Sequence, residues 1–405
     1  MAYAHGKKVC AASQSFSAIE SALYSFFGKI ATLIAADSLT RAAIKLIIEF
    51  MVKKIFQLIE SFTASDKTEK NLKKLTEILK SSTRLLIVMQ DNPDPDAIGA
   101  AVALRKLANS IADIRCSLAH GGTIGRGENR ALVKYLGLSL HSVADTEFDK
   151  FSTIALVDTQ PGTGNNSLPA GMIPDIIIDH HGCKQFSSSA KFYDIRPNYG
   201  ATSTIMLEYM AAAGIEPDIP LATALLYAIR SDTQDLGREA KYPDVQAVAY
   251  LYPLANKKML GEIQRGNVPR EYFQILTRAI KNAAIHGNSI ISHLGEVSNP
   301  DMIAEVADLL LREETAEWTM CTGVYNDKML ISLRTHEEKN RADSAVKRIV
   351  SRKGTGGGHK TYAGGQIPLA AEVSDKIKKH LEHTVQKRFL KTIGCTQQPA
   401  VKLIN

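Results

Sequence analysis

Apolar and polar positions alternate along this chain in two distinct periods, and the longest apolar runs share a common ending. Leu85-Leu-Ile-Val-Met89 runs out into Gln90-Asp-Asn-Pro-Asp-Pro-Asp96. Ile154-Ala-Leu-Val157 ends at Asp158, and Asp175-Ile-Ile-Ile-Asp-His-His181 closes on a carboxylate and two imidazoles. Further on, the stretch Leu221 to Ile229 ends at Ser231-Asp232. Short, continuous apolar runs read as strands of a parallel sheet covered on both faces. The C-terminal ends of such strands share one edge, where ligands bind. Four runs that each deliver acids or histidines to that edge predict a carboxylate-rich metal site.

The runs are separated by stretches of helical period, such as Ile98 to Ser110, Glu128 to Leu136 and Ser203 to Ala213. This βαβ rhythm from Leu85 to about Leu254 predicts a mostly parallel, twisted sheet with helices on both faces. Upstream, 13–62 reads as two helices. In the second, Ile44, Ile47, Ile48, Met51, Ile55, Leu58, Ile59 and Phe62 recur at helical spacing. Such a hairpin packs on the body or on a second subunit, or else docks on a membrane surface or partner. Asp66 to Lys80 reads as a helix with Leu72, Leu75, Ile78 and Leu79 on one face. Residues 256–288 read as a helical linker. A second α/β unit follows, with strands Ser289 to His293, Trp318 to Tyr325 and Lys328 to Arg334, and helices Pro300 to Glu313 and Ala342 to Ser351. A last strand near Gly365 to Leu369 leads to a basic helix, Glu372 to Leu390, and then a tail. The expected division is therefore a helical extension (1–80), a catalytic α/β domain (81–255), the linker and a smaller α/β domain (289–395).

Composition narrows the function. With 405 residues, 45% hydrophobic and 22% charged, the chain is an ordinary globular one of two or three domains. The net charge of +7 is concentrated at the start, where residues 1–80 hold twelve Lys/Arg against seven Asp/Glu. A protein that coats long nucleic acid would be basic throughout, and no single-strand-binding domain is recognisable. Five scattered cysteines form no C-x-x-C pair, which speaks against a disulfide scaffold and for a reducing compartment. Cys183, two residues past His181, is either a bystander thiol or a soft-metal ligand. No run reaches the length of a transmembrane helix, and the first residues lack a signal-peptide pattern, so a cytoplasmic protein is expected.

The loop Asp91-Asn-Pro-Asp-Pro-Asp-Ala-Ile-Gly99 packs three acids into six residues. An Asp-Pro turn of this kind is often only surface structure. Here Asp158, Asp179-His180-His181 and Asp232 all follow apolar runs, which favours a site. Carboxylates with one or two imidazoles and no thiolate suit hard or borderline divalent ions: Mn²⁺ best, with Mg²⁺, Co²⁺ or Fe²⁺ also suited. A second signature is Gly354-Thr-Gly-Gly-Gly-His-Lys-Thr-Tyr-Ala-Gly-Gly365, whose glycines let backbone approach an anion and whose His359 can donate to a phosphate oxygen. Arg334, at the end of an apolar run, is either a phosphate ligand or a surface strand-end residue.

Together, Asn92-Pro-Asp-Pro-Asp96, Val157-Asp158, Asp179-His180-His181, Asp232 and Gly356-Gly-Gly-His359 resemble the DHH phosphoesterase family with its associated C-terminal domain, over roughly residues 82 to 370. The compact oligoribonuclease and pAp-phosphatase-like (NrnA-like) members are the nearest match. The resemblance implies two divalent metals that activate water, with Asp94 and Asp96 on separate metals and Asp158 bridging them. It implies that His180 and Asp232 complete the second metal, that Asp179 orients its neighbours, and that His181 contacts substrate or assists catalysis. Arg334, Gly357, Gly358 and His359 would hold a terminal phosphate across a cleft between the domains. Where the family has a histidine ligand to the first metal, this chain has Gln90, a weaker donor. The segment Thr233-Gln-Asp-Leu-Gly237 also departs from the family pattern. The expected activity is hydrolysis of short oligonucleotides, dinucleotides or pAp-type substrates, by a homo-oligomer joined through the N-terminal helices. The alternative is a nucleotide-binding sensor with a weakened metal centre and the N-terminal helices as output.

Overall fold

The computed structural model describes residues 62–183, 185–370 and 373–404. The chain divides into two units, 1–62 and 63–405, and the fold below is that of the second. The helices expected over 13–62 lie outside the described residues.

Helix α1 (Asp66–Lys80) starts at Ser65, whose side chain accepts from the Thr68 amide, and buries Leu75 and Leu79. A parallel sheet follows, with strands β1 (Arg84–Met89), β2 (Arg115–His120), β3 (Leu140–Ser142), β4 (Thr153–Val157), β5 (Ile176–Asp179) and β6 (Phe192–Ile195). Their order is β3-β2-β1-β4-β5-β6, every neighbouring pair being parallel. The order reverses between β1 and β4. At that switch point the two flanking connections leave on opposite faces and open a crevice. Residues 85–89 and 176–178 are wholly buried, because helices cover both sides; this is why the strands read as continuous apolar runs. The helices are α2 (Pro95–Ala112), α3 (Gly127–Tyr135), α4 (Thr202–Ala212), α5 (Ile219–Asp232) and α6 (Tyr242–Leu254).

The run Leu221 to Ile229 is a helix, not the strand its apolar continuity suggests. Asp218 caps it through Leu221 N at 3.0 Å and Pro220 sits in its first turn. Its buried side chains pack against α2. Inside a protein a helix can be apolar all round, so hydrophobicity alone cannot separate it from a buried strand.

The connector consists of α7 (Lys257–Gln264) and α8 (Arg270–Asn282) and is shorter than the expected 256–288. The second sheet already begins at β7 (Ala284–His286) and continues through β8 (Ser289–Glu296), β9 (Trp318–Tyr325), β10 (Lys328–Thr335), β11 (Thr355–Gly358), β12 (Tyr362–Pro368) and β13 (Ala400–Lys402). The order is β11-β12-β10-β9-β8-β7-β13, antiparallel except for β8 with β9. Helices α9 (Asp301–Leu310), α10 (Ala342–Val350) and α11 (Asp375–Ile393) complete the domain. One face packs Met320, Ile331 and Leu333 against α10 and Phe389 of α11; the other packs Ile290 and Leu294 against α8 and α9. The expected tail is partly ordered, since β13 pairs with β7. The glycine run is not a free loop either: β11 and β12 form a hairpin, with Gly357 opposite Gly364. β11 is the edge strand of the sheet, so it is paired on one side only. Gly358 sits at φ 145°, and a Cβ there would lie 2.5 Å from Ala363 Cα, so the hairpin closes only with glycine at that position. Cys116, Cys321 and Cys395 are free thiols. Among the described residues no helix is long and apolar enough to cross a membrane.

Candidate metal centre

The acids meet at the β1/β4 switch point. Asp94 caps α2, its side chain accepting from Ala97 N at 2.9 Å, and Pro95 occupies the first helical position. Asp96, the second residue of that helix, is buried and accepts from Thr202 N at 2.7 Å and Ser203 N at 2.8 Å, at the start of α4. Asp158 follows β4 in the left-handed region at φ 61°. It accepts from Thr202 Oγ1 at 2.8 Å. His180 Nε2 lies 3.6 Å from Asp158 and 3.3 Å from Asp232. One oxygen each from Asp96 and Asp158 and a ring nitrogen of His180 fall within 4.8 Å of one another.

The imidazoles are held from behind. His180 Nδ1 bonds the Tyr199 carbonyl at 3.2 Å. His181 Nδ1 bonds Asp179 at 2.8 Å, and Gln160 donates to the other oxygen of Asp179 at 2.6 Å. His359, from the second domain, bonds Glu239 through Nδ1 at 2.7 Å. Its ring centroid lies 5.0 Å from His181 and 5.9 Å from His180. Anchoring one ring nitrogen fixes both the orientation of the ring and which nitrogen faces the cleft.

Electrostatics mark the same place. Asp158 and Asp232 are pushed well above the usual carboxylate range, first by loss of solvent and then by the charges of Asp96 and Asp94. Asp94 is raised by burial and by Asp96, and Asp96 chiefly by burial. Burial and the charge of His181 bring His180 down to about 3, which leaves a neutral ligand nitrogen. Burial also works against the His181 cation, but the Asp179 bond and charge outweigh it and raise His181 to about 9. Among the described residues, the ion pairs of the four acids run to His180 and His181 and to no lysine or arginine. Four crowded carboxylates without a lysine or arginine partner fit divalent cations, and an oxygen-rich set with one imidazole fits Mn²⁺ or Mg²⁺ better than a thiophilic ion. Gln90 does not offer its carbonyl. Its amide nitrogen faces Asp158 at 3.4 Å, and its Oε1 accepts from Asn165 at 3.2 Å, so ligation by Gln90 requires the amide to turn over.

Between the domains lies a cavity of about 260 Å³ whose walls include Asp94, Asp96, Asp232, Arg126, Arg238, Arg334 and Tyr362. Arg334 reaches it while bonded to Asp308 and, at 2.8 Å, to Ser332. It is therefore a cleft residue, not an exposed strand end. The structure thus brings Asp94, Asp96, Asp158, His180, His181, Asp232, His359 and Arg334 to one cleft. Gly357 and Gly358 stand behind His359 in β11. Sequence reasoning missed Arg126, Arg238, Glu239, Tyr199 and Tyr362. Arg238 and Glu239 follow directly on the aberrant 233–237 segment, the one available signal. Tyr199 acts through its backbone carbonyl and leaves no trace in residue type.

Fold and site define a two-domain α/β protein with a candidate metal centre in the cleft. Residues 84–229 match the DHH family, N-terminal domain, and residues 286–387 match the DHHA1 domain. The chain belongs to the DHH family. It is 35% identical over 352 residues to an uncharacterized protein of Methanocaldococcus jannaschii, MJ1633, covering 85% of this chain and 71% of that one. A probable manganese-dependent inorganic pyrophosphatase of Lactobacillus gasseri is 29% identical over 155 residues, which cover 36% of this chain and 47% of the pyrophosphatase. Among solved structures, an exopolyphosphatase-related protein from Bacteroides fragilis shares the fold, with a TM-score of 0.63 at 14% identity over 80% of this chain and 97% of that one.

Proposed function

We propose that this protein is a metal-dependent phosphodiesterase of the nanoRNase (NrnA-like) type that releases mononucleotides from short oligonucleotides or dinucleotides. The observation that carries the reading is the cluster of acids without a lysine or arginine ion pair, opening into a cleft that three arginines line. The cavity, about 260 Å³, is of small-ligand size, which supports a short substrate. The kinship with a family that includes manganese-dependent pyrophosphatases supports the metal chemistry, and pAp-phosphatase activity is its near neighbour.

Asp94, Asp96, Asp158, His180 and Asp232 would hold two divalent cations, with Mn²⁺ the best fit. When bound, such ions supply Lewis acidity and a water activated at neutral pH. The chain's own residues do the rest. Arg334 and His359 bind the terminal phosphate and set which phosphodiester lies over the acids. Asp179 holds the His181 proton at Nδ1 and turns Nε2 to the substrate, where it stabilises developing charge. Closure of the second domain excludes bulk water. A panel of pApA, longer oligonucleotides, pAp and pyrophosphate, each with Mn²⁺, Mg²⁺ or Co²⁺, tests the reading. Mononucleotide release fastest from the shortest substrates is expected. Tight nucleotide binding without product would replace the reading with a sensor, an outcome that the neutral Gln90 favours. The expected homo-oligomer belongs to this proposal and is read by light scattering on the full-length chain.

A further inference from the structure

After α5 the chain enters 233–240, where Gln234, Asp235, Leu236 and Glu239 all have positive φ, at 46°, 55°, 67° and 53°. Non-glycine residues in this region are strained and persist only where surrounding contacts over-determine them. Here Arg230 binds Asp235 at 2.7 Å and Arg238 N bonds Thr233 O at 2.9 Å. The path delivers two side chains to the opposite domain. The Arg238 guanidinium lies 4.1 Å over the Tyr362 ring, and Glu239 Oε2 meets His359 Nδ1 at 2.7 Å. The other His359 nitrogen, Nε2, is buried without a hydrogen-bond partner, and the ring stacks on Tyr362 at 4.5 Å.

We propose that Glu239 is a positioning residue that fixes His359 through Nδ1, so that Nε2 is the atom presented to an anionic phosphoryl oxygen of the substrate. A carboxylate accepts from Nδ1–H whether the ring is neutral or cationic. The proton on Nδ1 is thereby fixed, and Nε2 is left for the cleft. An arriving phosphoryl oxygen supplies the second acceptor; Nε2 takes up a proton from solvent, and the imidazolium then donates from both nitrogens. His180 and His181 are anchored by residues of their own domain, Tyr199 and Asp179. Glu239 instead belongs to the domain opposite its histidine, so this anchor exists only while the cleft is closed. Orientation of His359 is in that way coupled to closure.

The proposal rests on the reading of His359 as the phosphate-facing imidazole, and its test has a part that needs no turnover. In ¹⁵N-histidine spectra of the full-length, metal-free protein, with His359→Gln assigning the resonance, neutral His359 should be the Nδ1–H tautomer. Glu239→Gln, whose amide oxygen still accepts, should keep that tautomer. Glu239→Ala should lose it in favour of Nε2–H, the form free imidazole side chains prefer. With Mn²⁺ and pApA, Glu239→Ala should raise KM about 10- to 100-fold, as removal of such supporting partners does, with a smaller change in kcat and with Glu239→Gln close to wild type. Added to His359→Ala, it should have no further effect. An unchanged tautomer in Glu239→Ala, or losses additive with His359→Ala, overturns the proposal. A wild-type protein that leaves pApA intact defeats the phosphodiesterase reading, while the tautomer comparison still decides the role of Glu239.

Discussion

Replacing Arg196 with Met should cost stability and metal affinity together. Arg196 lies in the turn after β6 with its side chain 2% exposed, between Asp194 (0%) and Glu208 (5%). One nitrogen bonds Glu208 at 2.8 Å and another bonds Thr68 Oγ1 at 2.8 Å, tying α1 to α4. Removing one partner of a buried ion pair costs about 3–5 kcal/mol, because the remaining charge stays buried. Here Asp194 keeps Tyr209 Oη at 2.7 Å and Lys67 at 2.7 Å, and Glu208 keeps Tyr199 Oη at 2.6 Å. Those survivors place the expected loss near the lower bound, about 3 kcal/mol, or about 6–12 °C in Tm for a domain of this size. The same turn supports the centre: Arg196 N donates to the Asp179 carbonyl at 2.9 Å, and the Tyr199 carbonyl holds His180. The Arg196 side chain also donates to Tyr199 Oη at 3.2 Å, so its loss loosens this turn, and Mn²⁺ affinity should fall, by less than the roughly 10- to 100-fold of removing a direct ligand partner. Arg196→Lys, a point charge in place of a fork, should recover only part of either loss. Scanning calorimetry and Mn²⁺ titration measure both quantities. A Tm within about 2 °C of wild type, or lost stability with unchanged Mn²⁺ affinity, would refute the coupling.

Three further outcomes follow from the same geometry. Mn²⁺ at about 100 times its Kd should stabilise the protein by about 2.7 kcal/mol, and Asp158→Ala should abolish both this thermal shift and turnover; a shift that survives the substitution removes Asp158 from the ligand set. Gln90→His should tighten metal binding and raise activity at limiting Mn²⁺, and unchanged metal dependence would show that the neutral amide does not limit the site. Burial raises the Asp194 carboxyl, but the Arg196 bond and charge overcome this and bring it down to about 2. Its stabilising contribution is therefore complete above the unfolded value of about 3.9 and is lost as pH falls towards 2. Acid denaturation of wild type should steepen in that window, and Asp194→Asn should flatten it.

The centre was legible where chemistry follows a continuous apolar strand. β1, β4 and β5 declare themselves by composition, and Asp94, Asp96, Asp158, His180 and His181 fall at their ends by topology. Asp232 lines the cleft from the end of a helix and not of a strand, because a buried helix and a buried strand share the same apolar signature and only the Asp218-Ile-Pro cap distinguishes them. Glycines that suit an anion-binding loop equally suit a hairpin edge, and only the pairing with β12 shows that this run is a strand. The residues that complete the cleft from afar, Arg126, Arg238 and Glu239, carry no local pattern, since their roles depend on how two domains close.

Three local arrangements at the centre are each unfavourable in isolation. Asp232 is the final residue of α5, where the negative end of the helix dipole opposes a carboxylate. Asp158 takes a left-handed backbone, at a cost of about 1–3 kcal/mol. Asp94 and Asp96 raise each other's neighbours instead of pairing with a base. A core selected for stability alone would remove all three, since apolar residues fill such space at lower cost. The first and third share one physical remedy, a concentrated positive charge, and the second sets Asp158 where that charge would sit. Divalent cations reverse the sign of the two electrostatic terms and offset the backbone strain that places Asp158 beside them, so the centre should be the part of this fold whose stability depends most steeply on bound metal.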